Sequence, residues 1–105
     1  ELIHLNNLIS LNLQENHLNG PIPSTVGNCT KLKYLSLNDN ALSGSIPSNL
    51  GRCTQLEHLL LNDNALSGSI PSNLGKLSSL EHLDVSGNKL TGTLPESLNG
   101  RLKYC

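Results

Sequence analysis

Residues 37–51 read LNDNALSGSIPSNLG, and residues 61–75 repeat the same fifteen letters. The two segments begin 24 residues apart, and diverged copies of the same pattern occur once before and once after them. The four copies share the motif L-x-x-L-x-L/V-x-x-N-x-L-x-G-x-I/L-P-x-x-L/V. Four copies in register cover nearly the whole chain, and they indicate a repeat architecture in which each unit packs on its neighbours.

The composition excludes several other classes of protein. The chain has 105 residues, a formal net charge of −1, 24 Leu, 14 Asn, and no Phe, Trp or Met. Its 36% of apolar residues is too many for a disordered chain, and no apolar run approaches the roughly 18 residues of a membrane span. The near-neutral charge without a basic patch argues against nucleic acid as the main partner. Stacked columns of Leu explain a core without large aromatics.

Each part of the repeat has a physical interpretation. In residues 35–37 two Leu alternate with Ser, which predicts a short half-buried strand. The Asn three residues later offers a donor and an acceptor, so it can satisfy backbone groups where the chain turns inward. Gly44 suits a turn or a close backbone approach, and the following Ile-Pro pair favours an extended segment. The predicted structural Asn ladder consists of Asn16, Asn40, Asn64 and Asn88.

The 24-residue period with L-x-G-x-I-P resembles the plant-specific class of leucine-rich repeats, and the GNCTKL phrase at residues 27–32 is similar to this class as well. Such repeats occur in ectodomains of receptor-like kinases and receptor-like proteins and in polygalacturonase-inhibiting proteins. The resemblance covers about residues 2–98. It implies an α/β-type solenoid, a right-handed superhelix with a parallel β-sheet on its concave face and irregular, 3-10 or short-strand segments on its convex face.

The period divides the chain into repeats at residues 8–31, 32–55, 56–79 and 80–105, with residues 1–7 as the tail of a preceding repeat. Neither end carries a recognisable cap, and uncapped ends of a solenoid expose aliphatic side chains. We therefore interpret the chain as a fragment of a longer array. A short protein that buries its ends by association is the alternative.

The resemblance implies a non-enzymatic module that recognises a protein or peptide outside the cell or at its surface, with a co-receptor as a further candidate partner. It implies no cofactor and no nucleic acid, and a membrane only through a flanking segment. The strand side chains not needed for packing form columns that begin at Ser10, Asn12 and Gln14. A rigid sheet would pre-organise them for binding. The predicted ligand-binding residues are Tyr34, Ser36, Asn38, His58, Leu60, Asn62, His82 and Asp84.

Two further surface features follow from the repeat. Glu15, Asp39 and Asp63 form an acidic column that ends at Gly87. This column is either a solvated loop edge or one side of a site for a cationic peptide. Asn28 begins the N-C-T sequon and is the predicted glycosylation site, which suits a secretory protein.

His58 and His82 lie in identical Leu-Glu-His-Leu phrases, and stacking places them about 5 Å apart on neighbouring strands. They are interpreted either as a metal-binding or pH-sensitive pair, or as a duplicated phrase without a ligand. We favour the second interpretation, so the sequence predicts no metal site. No Ser/His/Asp or Cys/His arrangement is assignable, so it predicts no catalytic residue either.

The three cysteines do not form a metal-binding motif, since no C-x-x-C is present. Cys29 and Cys53 share a column with leucines and are predicted to be buried hydrophobes with inert thiols. A disulfide between adjacent coils is the alternative, although parallel Cβ vectors fit it poorly. Cys105 could pair with a partner downstream of this sequence.

Ice binding is an alternative function. Short hydroxyl side chains flank the turn glycine in three repeats and would make a regular ladder, which the first repeat interrupts with Asn19 and Pro21. Some plant leucine-rich-repeat proteins inhibit ice recrystallisation, so the resemblance permits this function. The ladder consists of Ser43, Ser45, Ser67, Ser69, Thr91 and Thr93.

Overall fold

The computed structural model describes residues 5–98, which fold as stacked coils of short strands and 3-10 helices. Each coil has one strand on each of two sides and a 3-10 helix on the return path. The strands are β1 Ser10–Asn12, β2 Asn19–Pro21, β3 Tyr34–Ser36, β4 Ala41–Ser45, β5 His58–Leu60, β6 Ala65–Ser69, β7 His82–Asp84 and β8 Lys89–Thr91. The 3-10 helices are Leu5–Asn7, Ser24–Asn28, Ser48–Arg52, Ser72–Lys76 and Glu96–Leu98.

The first sheet has the strand order β1-β3-β5-β7, and all its strand pairs are parallel. Each residue lies opposite the residue 24 positions later, so Leu11, Leu35, Leu59 and Leu83 form one column. The last three of these side chains are fully buried, and their neighbours in sequence point to the solvent side. The repeat period in the sequence therefore sets the register of this sheet.

The second sheet, β2-β4-β6-β8, is also parallel but has a different register. Ser43 lies opposite Ala65, and Ser67 lies opposite Lys89, so partners are 22 residues apart. The change from 24 to 22 occurs at the Asn of the turn. The backbone N–H of Leu42 donates to Oδ1 of Asn64 at 3.0 Å, and these two residues are also 22 apart. A shift of two residues keeps each side chain on its original face.

The return path of each coil begins at a proline in extended conformation. Pro47 has φ −68° and ψ 132°, and the 3-10 helix Ser48–Arg52 follows it. Glycine inside this helix lets the coils approach closely, because a Cβ at Gly51 would lie 2.7 Å from the backbone oxygen of Asn73. The same contact occurs one coil earlier between Gly27 and Asn49. These glycines are therefore needed for stacking on the helical side.

One apolar cluster runs through the stacked coils. It contains Leu, Ile, Val and Cys side chains, and no polar or charged side chain of the described residues is buried. Burial of each Leu stabilises the fold by about 1.5–3 kcal/mol. The fully buried members are Leu32, Leu35, Leu50, Leu56, Leu59, Leu61, Leu66, Leu74, Leu77, Leu83, Leu98, Cys29 and Cys53.

The predicted solenoid is confirmed, and its return segments contain both the short strands and the 3-10 helices that were expected. Residues 5–98 contain no helix with the length and apolarity needed to span a membrane. The predicted repeat boundaries, and the interpretation of the chain as a fragment, stay predictions. Cys105 and the start of the predicted leading tail lie outside the described residues.

Candidate functional site

The solvent side of the first sheet brings three rings into one column. Tyr34, His58 and His82 lie opposite one another in register, with Ser10 at the start of the column. The ring of Tyr34 meets His58 edge-on at a centroid distance of 5.3 Å, and the two imidazoles stack at 4.5 Å with an interplanar angle of 12°. Tyr34 is 40% exposed, while both histidines are half-buried. The column therefore presents a continuous ring surface.

A second column beside the rings changes from polar to apolar to acidic side chains along the sheet. Ser36, Leu60 and Asp84 lie in register and are each half-buried, and Asn12 precedes them. Oδ1 of Asp84 accepts hydrogen bonds from the backbone N–H and the hydroxyl of Ser86, at 3.1 and 2.6 Å. This carboxylate is held in place beside the histidines. The face that these two columns form, Ser10, Asn12, Tyr34, Ser36, His58, Leu60, His82 and Asp84, is called the first-sheet face below.

The predicted third column lies just after the strands and consists of Gln14, Asn38, Asn62 and Ser86. Nδ2 of Asn38 donates to Oδ2 of Asp39 at 2.7 Å and contacts Oε1 of Gln14 at 3.5 Å. Asn62 repeats the first bond with Asp63 at 2.9 Å. The Oδ1 atom of Asn38 is buried without a hydrogen-bond partner. Both amides thus hold the neighbouring carboxylates, and their predicted contact with a ligand stays a prediction.

The acidic column has a conformational explanation. Glu15, Asp39 and Asp63 have φ of 56°, 60° and 60°, a region that Asp and Asn tolerate better than most residues. Gly87 has φ 69° at the equivalent position, and a Cβ there would collide with the carboxylate of Asp63. Glycine adopts this conformation without strain, and a side chain at position 87 would require the Asp63 carboxylate to move.

The Asn ladder joins successive coils through its side chains. Nδ2 of Asn64 donates to backbone oxygens of Leu37, Leu61 and Asn62, at 3.0, 3.2 and 3.3 Å, while its Oδ1 accepts from Leu42. Asn40 and Asn88 make the equivalent bonds. Asn16 differs, because its amide donates only to Gln14 within the described residues. The ladder thus links the backbones of neighbouring coils, as a structural element does.

Two cysteines lie in the apolar cluster, as predicted, and their expected lack of reactivity stays a prediction. Cys29 and Cys53 are free thiols, 1% and 0% exposed. Burial raises the pKa of Cys29, and it raises the pKa of Cys53 to about 11, with Cys29 adding to the rise and Arg52 opposing it. Asn28, the predicted glycosylation site, lies exposed at the end of a 3-10 helix.

The hydroxyl ladder is not a straight column. Because the second sheet pairs residues 22 apart, Ser43 faces Ala65 and Ser67 faces Lys89. Only two hydroxyl pairs lie opposite each other, Ser45 with Ser67 and Ser69 with Thr91 in adjacent strand pairs. The expected alignment at the 24-residue step is therefore wrong for these residues.

Two acidic residues beside the ring column were not predicted from the sequence as part of the site. Glu57 and Glu81 each precede a histidine, and a ligand atom of Glu81 lies within 4.8 Å of ligand atoms of both His58 and His82. The hydroxyl of Tyr34 contacts Oε1 of Glu57 at 3.5 Å. The duplicated Leu-Glu-His-Leu phrase was the available signal, since it repeats the Glu together with the His.

A leucine-rich-repeat family model matches residues 30–90, and a second leucine-rich-repeat model matches residues 7–29. The chain belongs to the leucine-rich-repeat family. The comparison with curated proteins gave no significant match.

Solved structures extend the family assignment. The crystal structure of PEPR1–AtPEP1 aligns with a TM-score of 0.90 at 42% identity, over 94% of this chain and 14% of that chain. The Arabidopsis receptor kinase HAESA, in complex with the peptide hormone IDA and the co-receptor SERK1, aligns with a TM-score of 0.88 at 39% identity. The alignment covers 95% of this chain and 17% of that chain. The BIR2 ectodomain from Arabidopsis thaliana aligns with a TM-score of 0.86 at 34% identity, over 93% of this chain and 57% of that chain.

This leucine-rich-repeat chain spans less than two thirds of each of those three proteins. The similarities confirm the predicted resemblance to leucine-rich-repeat ectodomains of plant receptors.

Proposed function

We propose that this chain is a non-enzymatic part of an extracellular leucine-rich-repeat ectodomain that recognises a peptide or protein through the first-sheet face. The observation that carries the proposal is the register of Tyr34, His58 and His82, which builds one continuous ring surface. Aromatic side chains supply large contact area with polar tips, as binding sites require. HAESA, a structural neighbour, is described with a bound peptide hormone and a co-receptor, which supports the same kind of partner here.

The surroundings of the rings favour a ligand with both an apolar and a basic group. Leu60 offers an apolar contact beside His58, and Asp84 offers a carboxylate beside His82. The exposed carboxylates of Asp39 and Asp63 continue the negative edge of the sheet. We therefore propose that the acidic column contributes to binding a cationic peptide, as an edge of the same site.

A peptide-display experiment tests the proposal. A random peptide phage library is panned on the chain, and enriched peptides are measured against a Tyr34→Ala/His58→Ala variant. We expect affinity to fall about tenfold or more, because aromatic anchors dominate such sites. The matched control is Ser43→Ala/Ser67→Ala on the second sheet. Peptides that lose affinity with the control and keep it with the first variant would move the site off the first-sheet face.

Ice binding is the weaker functional candidate. A surface of this kind needs a regular hydroxyl array, and the register of the second sheet places Ala65 and Lys89 opposite the serines. An ice-recrystallisation assay in which crystals coarsen at the rate of a buffer control would end this alternative.

A further inference from the structure

We propose that His58, Glu81 and His82 form a binding site for a late first-row divalent cation such as Zn²⁺. The two histidines lie opposite each other on β5 and β7, and one ligand atom from each of the three residues lies within 4.8 Å of the others. This inference does not rest on the proposed recognition function, since the ion itself is the ligand.

The geometry requires only small side-chain movements. Two donors bound to one Zn²⁺ at about 2.0–2.1 Å in a tetrahedral arrangement lie roughly 3.4 Å apart. The imidazoles already stack at a centroid distance of 4.5 Å, so rotation about the side-chain bonds can converge their nitrogens. Both histidines are half-buried and Glu81 is exposed, so the core does not restrain these movements.

The donor set selects the class of metal. Two imidazoles and one carboxylate suit Zn²⁺, Cu²⁺ or Ni²⁺, whereas Mg²⁺ and Ca²⁺ prefer all-oxygen sites. Three protein ligands leave one position of a tetrahedral ion for water or for a donor from another molecule. Such a position on the first-sheet face would let the ion contact a ligand bound there.

The backbone next to the site is held by Glu57, the residue just before β5. The N–H groups of Glu81 and His82 both donate to the backbone oxygen of Glu57, at 2.9 and 3.1 Å. The ring of Tyr34 packs edge-on against His58 from the other side. Two of the three ligands therefore start from a fixed backbone, which lowers the entropic cost of chelation.

The test is titration of the full chain, without an affinity tag, with ZnCl₂ in a non-chelating buffer by isothermal calorimetry. We expect one ion per chain, with affinity reduced about tenfold or more in His58→Ala and in His82→Ala, and less in Glu81→Gln. His17→Asn is the matched control, because His17 is exposed and its φ of 58° suits Asn. This variant should bind as tightly as the parent.

Histidine NMR signals of the unmodified chain give a second readout that does not depend on folding of the variants. Addition of ZnCl₂ should shift the signals of His58 and His82 and leave those of His17 unchanged. The proposal is overturned if no saturable binding occurs, if His17→Asn weakens binding as much as His58→Ala, or if MgCl₂ binds as tightly as ZnCl₂.

Discussion

The first coil, residues 8–31, and the third coil, residues 56–79, carry the same motif but differ in the burial of its leucine side chains. In the third coil the core-facing leucines are fully buried, whereas the equivalent leucines of the first coil are half-buried. The compared positions are Leu59, Leu61 and Leu66 in the third coil and Leu11, Leu13 and Leu18 in the first. The first-coil leucines also line a cavity of about 350 Å³. Strand β2 has three residues where β6 has five. A repeat residue thus contributes to stability according to the coils stacked on its two sides.

The largest contrast is expected for the central leucine of the first sheet. Leu59→Ala should lower the free energy of unfolding by about 2–5 kcal/mol, because it opens a cavity in a fully packed column. Leu11→Ala should cost about half of that or less, since Leu11 is half-buried and already borders a cavity. Urea unfolding of both variants measures the difference. Equal losses would show that the first coil is as well covered in solution as the third.

The Asn ladder should give the next largest contrast. Asn64→Ala removes the partner of three backbone oxygens and of the Leu42 amide, so we expect a loss of about 2–4 kcal/mol. Asn16→Ala removes one side-chain bond to Gln14 and should cost about 1 kcal/mol or less. Hydrogen exchange gives the local readout, because the amide of Leu42 should exchange faster in Asn64→Ala. Unchanged exchange there would contradict the assigned bond.

The reactivity of the two buried thiols reports on packing in the first coil and in the coil that follows it. The pKa of Cys53 is raised to about 11 from 9.0, so its thiolate fraction at pH 8.5 should be about a hundredfold lower than that of an ordinary thiol. Cys29 lines the first-coil cavity and should react with iodoacetamide faster than Cys53, as measured by peptide mass mapping. Equal alkylation rates of Cys29 and Cys53 in the native chain would contradict the expected difference in packing around the two thiols.

The pKa of Cys53 also gives a dependence of stability on pH. The folded pKa lies above the unfolded value, so the contribution is complete below pH 9 and is lost as the pH rises towards about 11. Cys53→Ala should therefore show a shallower alkaline decline of the urea midpoint than the parent chain.

The smallest effect concerns the turn residues with positive φ. Glu15 has φ 56°, a conformation that costs most residues roughly 1–2 kcal/mol and Asn less. Glu15→Asn should therefore raise the thermal midpoint slightly, by about 1 kcal/mol or less in stability. Asp63→Asn in the third coil should change it little, because Asp already tolerates this conformation. A destabilised Glu15→Asn variant would contradict the conformational explanation.

The first sheet could be predicted from the sequence because its register equals the repeat period. The second sheet could not, since the 22-residue offset depends on the bond from Leu42 to Asn64, which spacing alone does not specify. The ring column of Tyr34, His58 and His82 followed from the period. Glu81 was missed because it precedes β7, where the alternation of strand side chains no longer decides its direction.

The identity of residues 37–51 and 61–75 makes two neighbouring contact surfaces interchangeable. After removal or duplication of one 24-residue unit within this stretch, the coils at the new junction would have the same contact surfaces as before. Every remaining Asn of the ladder would still meet the backbone groups to which it hydrogen-bonds. One such unit can therefore be lost or gained without creating a mispaired junction between coils. What such an event changes is the ring column, since loss of residues 37–60 would bring Tyr34 directly beside His82.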